Sequence, residues 1–156
     1  MNIQLKKAGI NDSGQIHSMQ ISSFAYLLEK YQDYDLSPGA EKVDRIIERM
    51  EKKGTEYYCV SVGAVVIGAV GVERQSDQCC RIAPIFILPE HQGHGYAKQV
   101  LNAVEELYSE VSCWKLDTIK EESSLCHLYE SVGYVATGEE KIIKSGMTII
   151  YYQKNK

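Results

Sequence analysis

The sequence has no apolar run long enough to cross a bilayer. Its longest, Ala64 to Val72, is nine residues with two glycines, where a spanning helix needs about twenty residues. The amino terminus, Met1-Asn2-Ile3-Gln4-Leu5-Lys6-Lys7, lacks the apolar core of a secretory signal. Excess positive charge is missing too. Lys and Arg number 17 against 21 Asp and Glu, a net charge of −4, so nothing in the balance favours nucleic acid or an anionic membrane surface, and cationic partners fit better. No C-x-x-C pair occurs. The five cysteines, Cys59, Cys79, Cys80, Cys113 and Cys126, are odd in number, and the adjacent Cys79 and Cys80 do not suit an unstrained disulfide with each other. Reduced thiols in a cytoplasmic protein are therefore expected. His91 and His94 have H-x-x-H spacing, but no nearby carboxylate or thiol completes a ligand set, so no metal is expected. Internal repeats, low-complexity tracts and linkers are absent. At 156 residues the expectation is one domain, 1–156, large enough to bury a core without metal or disulfide.

What is present is a clear succession of periodic segments. Ile3 and Leu5 alternate as in a short strand, and Asn11-Asp12-Ser13 offers N-caps for a helix lined by Ile16, Met19, Ser23, Leu27 and Tyr31. Val43, Ile46, Ile47 and Met50 mark a second helix that Gly54 can end. Tyr57–Val62, Val65–Val72 and Arg81–Leu88 are β-rich runs that read as an antiparallel meander. Ala97, Val100, Leu101, Val104, Leu107 and Tyr108 give the most regular helical pattern in the chain. A strand over Cys113–Thr118, a short helix through Leu125, Leu128, Tyr129 and Val132, and final strands at Tyr134–Val135 and Met147–Tyr152 complete the order. The connection from residue 82 to 118 is a crossover that places its two strands parallel. The fold class is α/β (α+β): a mixed, mostly antiparallel sheet of six to seven strands, with about four helices on both faces.

Between the third β run and the long helix lies Gln92-Gly93-His94-Gly95-Tyr96-Ala97, preceded by Pro89-Glu90. Free N–H groups at a helix start, with the positive end of the macrodipole, form an anion site, and glycines let a bulky anion approach the backbone. This segment resembles the Q/R-x-x-G-x-G/A signature of the GNAT family of N-acetyltransferases. Leu128-Tyr129-Glu130-Ser131-Val132-Gly133-Tyr134 is similar to that family's L-Y-E-x-x-G-F/Y element. The two motifs stand in the right order with the usual gap, and the resemblance spans nearly the whole chain.

The resemblance implies acetyl-CoA as cosubstrate. Its pantetheine arm would lie along Ile85, Phe86 and Ile87, and its pyrophosphate against the turn formed by Gln92, Gly93, His94, Gly95, Tyr96, Ala97 and Lys98. It also gives Tyr129 the position of the general acid that protonates the departing thiolate; packing of Tyr129 in the core is the alternative. The base is Asp117 or its rival Glu73, each of which also reads as an ordinary strand-end carboxylate. Where many members carry a pantetheine-binding Asn, seven positions before the tyrosine, this chain has Glu122, expected to be a solvated helix-start carboxylate. Tyr26, Tyr31 and Tyr34 with Glu29, Asp33 and Asp35 form either an amine-holding wall or plain rim packing. The implied activity is direct acetyl transfer to a primary amine of a small molecule or peptide, and paired chains, a homodimer, are frequent in the family. An acyl-CoA-sensing module without turnover is the alternative, and a nucleotide-binding protein using the turn alone is disfavoured by the antiparallel early strands.

Overall fold

The structure, a computed structural model, describes residues 2–156. In chain order it contains β1 (Gln4–Lys7), α1 (Ser13–Tyr31), α2 (Val43–Glu51), β2 (Thr55–Val62), β3 (Val65–Arg74), β4 (Cys79–Ile87), α3 (Tyr96–Leu107), β5 (Cys113–Ile119), α4 (Ser123–Ser131), β6 (Val135–Lys144) and β7 (Met147–Asn155). The seven strands form one sheet in the order β1-β2-β3-β4-β5-β7-β6. Every neighbouring pair is antiparallel except β4 and β5. That pair is joined by the α3 crossover, which returns the chain to the same end of the sheet before β5 begins.

Because successive strand residues face opposite sides, the apolar strands feed two cores. Tyr58, Val60, Val70, Val72, Ile82, Trp114 and Leu116 bury one face against Val100, Leu101 and Val104 of α3 and Tyr129 of α4. Tyr57, Ala69 and Phe86 bury the other against Ile16 and Met19 of α1 and Ile46 of α2. Full burial of side chains of this size stabilises by roughly 1.5–3 kcal/mol each. The α1 stripe of Ile16, Met19, Ser23, Leu27 and Tyr31 is buried throughout, whereas Ile46 alone of the α2 set is fully covered. α1 ends at Gln32, whose φ of 52° is left-handed. No described helix is long and apolar enough to cross a membrane.

Two expectations are corrected. The last part of the sheet is larger than expected, since β6 runs ten residues as an edge strand exposed along nearly all its length. With both faces in solvent, it carries no apolar alternation that periodicity could detect. The expectation that all the cysteines are thiols also fails. Cys79 and Cys113 are opposed in the β4–β5 register, with Cα atoms 4.5 Å apart, and form a disulfide. They are 34 residues apart in sequence, so only the parallel pairing reveals them as neighbours. Cys59, Cys80 and Cys126 are free thiols.

The ladder between β4 and β5 is short. It has three rungs, Cys79↔Cys113, Cys80↔Trp114 and Arg81↔Lys115, and then stops although both strands continue. Beyond it the strands diverge, leaving a gap in the middle of the sheet.

Candidate functional site

The gap opens into a cavity of about 750 Å³. At one end, β4 leads through a single turn of 3-10 helix at Pro89–His91 into the glycine turn. The Gln92 side chain braces the exit of β4 by donating Nε2–H to the Ile87 carbonyl at 2.8 Å. Gly93 and Gly95 have φ of +82° and +78°, and a Cβ on either would meet no atom within 4 Å. Gly95 is the N-cap of α3, and among the described residues no side chain caps that end. Among the described residues, the N–H groups from Gly93 to Lys98 have no partner outside the helix itself. The result is an open cluster of donors at the positive end of a three-turn helix, a natural seat for a phosphate group.

Ile85, Phe86, Ile87, Gln92, Gly93, Gly95, Tyr96, Ala97 and Lys98 all line the cavity, whereas His94 does not. Tyr129, Asp117 and Glu73 line it as well. Tyr129 belongs both to the core and to the wall, with 6% of its surface exposed and its ring against Tyr134 and Tyr152. Its hydroxyl has no hydrogen-bond partner among the described residues. Burial first, and then the negative charge of Asp117, push the Tyr129 phenol above its ordinary value, so it carries its proton throughout the neutral range. Asp117 accepts a 2.9 Å hydrogen bond from the Arg81 guanidinium. Glu73 faces Thr55 on β2 and Arg81 on β4 and lies 3.4 Å from Lys52.

The far wall consists of α1, the segment after it, and the β6–β7 pair. Tyr26 and Asp33 reach the cavity, but Tyr31 is buried and Tyr34 is 64% exposed away from it. Glu41 forms a double hydrogen bond with Arg49, which also donates to the Tyr57 hydroxyl, while Gln20 donates to Glu41 at 2.8 Å. Glu122 departs from expectation. It is not solvated: its side chain is 11% exposed, accepting from Lys30 Nζ at 2.7 Å and from the Tyr31 hydroxyl at 2.5 Å. Burial opposes its charge, yet these two donors hold its carboxyl below the ordinary range. Glu122 does not line the cavity; it ties α1 to the start of α4. Lys144 of β6 adds a bond to the Tyr31 carbonyl at 2.6 Å.

Sequence reasoning missed Arg81, the Glu41–Arg49 pair, Ser23 and Thr55 as cavity residues. For Arg81 a signal existed, a cation between the apolar residues Cys80 and Ile82 of a buried strand. The others are brought together only by the packing of α1 and α2 on the sheet.

Comparison with known proteins adds a family and a set of folds. The family model described as "Acetyltransferase (GNAT) family" matches residues 21–134. The paiA N-acetyltransferase from Thermoplasma acidophilum, solved in complex with coenzyme A, superposes with a TM-score of 0.80 at 12% identity, covering 100% of both chains. Spermidine N-acetyltransferase from Vibrio cholerae, solved with CoA and spermine, gives 0.77 at 20% identity over 99% of this chain and 95% of that one. An acetyltransferase from Thermus thermophilus gives 0.76 at 12% identity over 100% and 98%. A search among curated proteins finds no match. At these identities the structural likeness establishes the fold.

Proposed function

This chain belongs to the GNAT acetyltransferase family, and from that premise we propose that it transfers an acetyl group from acetyl-CoA directly to the primary amine of a small molecule or peptide. The observation that carries the reading is the broken β4–β5 ladder opening beside the uncapped, glycine-led start of α3. The two features supply what the donor needs: unpaired strand edges for an extended arm, and convergent N–H groups for a pyrophosphate. The structural neighbours solved with coenzyme A support the same assignment. Ile85, Phe86 and Ile87 hold the arm, and the backbone from Gly93 to Lys98, His94 included through its amide, holds the phosphates.

Acetyl-CoA supplies an activated thioester; the chain's own residues manage position and protons. An alkylammonium of pKa about 10 is neutral in only about one molecule in a thousand at pH 7, a deficit of about 4 kcal/mol. A carboxylate on the cavity wall removes that proton directly or through water. Asp117 takes this role ahead of Glu73 because it stands close enough to Tyr129 for its charge to act on the phenol. As the amine attacks the carbonyl carbon, strand N–H groups left unpaired by the gap stabilise the oxyanion. The C–S bond then breaks, the Tyr129 hydroxyl donates to the departing sulfur, and the proton given up by the acylated nitrogen returns to the phenol directly or through water. Positive charge on the attacking nitrogen offsets the burial that otherwise holds the phenol's proton too tightly. No covalent enzyme intermediate is needed. The absence of Glu122 from the cavity wall favours, as a second reading, a module that binds acyl-CoA without turnover.

An amine panel read by release of free thiol tests the proposal. Turnover is expected with at least one amine and should fall about 10²-fold or more in Tyr129→Phe. Because the Tyr129 hydroxyl has no hydrogen-bond partner among the described residues, the same variant should keep its melting temperature. Binding of acetyl-CoA without any Tyr129-dependent thiol release would overturn the enzyme reading, and a thermal-shift preference for NAD or ATP would overturn the donor.

A further inference from the structure

Four carboxylates and four Lys or Arg side chains line the cavity. Lys98 stands in the first turn of α3, beside the backbone assigned to the phosphates. Glu41 and Arg49 hold each other through two hydrogen bonds and, with Gln20, form a closed neutral group. Glu73, Arg81 and Asp117 form a row on one face of the sheet. Glu73 is opposite Arg81 across β3 and β4, and Arg81 donates to Asp117 across the fork between β4 and β5. One guanidinium serves two carboxylates there, and Lys52 is too exposed for its 3.4 Å contact with Glu73 to count for much. The row therefore keeps an excess of negative charge, the complement of the one ammonium that is to react.

Two lining charges remain, Asp33 and Lys141, and neither side chain has an ion pair or hydrogen bond among the described residues. They are opposite in sign and lie at the same corner. Asp33 follows the end of α1, where Lys144 of β6 donates to the Tyr31 carbonyl, and Lys141 is on that same strand, exposed at the rim. Lys141 is opposite Ile149, which is opposite Ile119, two residues along from Asp117. Opposed residues share a face, as do residues two apart, so Lys141 and Asp117 look toward the same side of the sheet. It is the side of α1, because Ile119 and Ile149 pack with Leu27 and Tyr31. Two strand spacings across and two residues along separate the Cα atoms of Lys141 and Asp117 by about 12 Å. Less the reach of the two side chains, that span suits an acceptor a few carbons long. A second ammonium on such an acceptor would meet Lys141, and a lone carboxylate would meet Asp33. Only a group with both signs is attracted by both residues.

We propose that the acceptor is a diamino acid: its side-chain amine reacts beside Asp117 and Tyr129, while its zwitterionic head binds Asp33 through the ammonium and Lys141 through the carboxylate. The inference rests on the reading of the chain as an amine acetyltransferase and narrows its substrate class. It sets the acceptor apart from simple diamines, which leave Lys141 facing a like charge.

The test uses L-lysine and L-ornithine beside three truncated amines: cadaverine, which lacks the carboxylate, 6-aminohexanoate, which lacks the second ammonium, and n-pentylamine, which lacks both. Free thiol is the readout, in wild type, Lys141→Met and Asp33→Asn. Lysine or ornithine should exceed each truncated amine in kcat/KM by about tenfold or more, the scale on which a site built for a polar group rejects an analogue lacking it. Lys141→Met should cost the diamino acid and 6-aminohexanoate about fivefold more than it costs cadaverine. Asp33→Asn should cost the diamino acid and cadaverine about fivefold more than it costs 6-aminohexanoate. These ratios are taken within one variant, so a folding defect, which lowers every substrate alike, does not produce them. A truncated amine that matches or exceeds both diamino acids, or variants that lower all the amines equally, overturns this proposal while the acetyltransferase reading stands. Failure of these and of every amine in the wider panel to release thiol from bound acetyl-CoA overturns that reading and this inference together.

Discussion

Gly71 of β3 faces the stretch of β4 where the regular register between the two strands breaks between Val70 and Val72. A Cβ at this position would sit 2.4 Å from the Ala83 carbonyl oxygen and 3.2 Å from both the Ala83 carbonyl carbon and Pro84 Cδ. Ordinary carbon-to-oxygen contacts lie near 3.4 Å, so a methyl group demands a separation about 1 Å larger than the structure allows. The obstructing atoms are mainly backbone and cannot rotate away; β4 itself has to move. Overpacking of this kind costs about 1–3 kcal/mol, and a main-chain obstacle puts Gly71→Ala at the upper end, about 3 kcal/mol. For a chain of this size that corresponds to a fall of about 6–12 °C in Tm. Direction matters as much as size. A methyl on β3 pushes residues 83–86 away from β3 and toward β5, narrowing the gap where the pantetheine arm is proposed to lie. Acetyl-CoA affinity measured by calorimetry should therefore fall about tenfold or more, equivalent to at least about 1.4 kcal/mol. Gly138→Ala is the control. Its φ of +93° makes alanine cost about 1–2 kcal/mol, but a Cβ there meets nothing within 4 Å, so stability drops and acetyl-CoA affinity does not. If Gly71→Ala melts within 1 °C of wild type and binds acetyl-CoA equally well, the proposed link between this close strand approach and the donor gap is wrong.

Two further outcomes concern the ion pairs. Asp117→Asn should lower kcat/KM at pH 7 more than Glu73→Gln, and its deficit should shrink toward pH 10 as the acceptor loses its own proton without help; a larger loss in Glu73→Gln would transfer the base role to that residue. The Glu122 carboxyl is held below its ordinary range by Lys30 and Tyr31 despite its burial, so its contribution to stability is present above the unfolded pKa of about 4.3 and lost as pH falls through the lower folded value. Glu122→Gln should accordingly reduce Tm at pH 7 and converge with wild type in strong acid, and an equal deficit at pH 7 and pH 3 would show that charge is not what holds α1 to α4.

The parts of the fold legible in the sequence are those whose burial is one-sided. α3 presents Val100, Leu101 and Val104 to a single core, so its spacing is a direct print of its packing. The glycine turn was equally legible because its requirement is local: positive φ at Gly93 and Gly95 and no Cβ in front of the N–H groups. β6 was not, because an edge strand exposed on both faces needs no pattern. Contacts that depend on register were hidden for another reason. Cys79 with Cys113 and Arg81 with Asp117 are pairs across β4 and β5, and shifting one strand by a single residue would have produced other partners from the same residues. Glu122 was misread because its neighbours in sequence, Lys120, Glu121 and Ser123, describe a solvated helix start, while its real partners come from the end of α1, 91 and 92 positions away.

Glu122 also shows how the two ends of the cavity are built on different principles. The proposed donor end uses main chain: N–H groups ahead of α3 and strand edges beyond a three-rung ladder. Such a site needs glycines in the turn and a gap in the sheet and depends little on side chains elsewhere, so a Glu122 that turns away from the cavity leaves it intact. The proposed acceptor end uses side chains on elements that must be held in place, and Glu122 does part of that holding, clamping Lys30 and Tyr31 of α1 to the start of α4, the helix that carries Tyr129. A residue absent from the cavity wall thereby helps to fasten the elements that form it. Loss of Glu122 should therefore be felt as a weaker KM for the acceptor, with acetyl-CoA affinity much less affected.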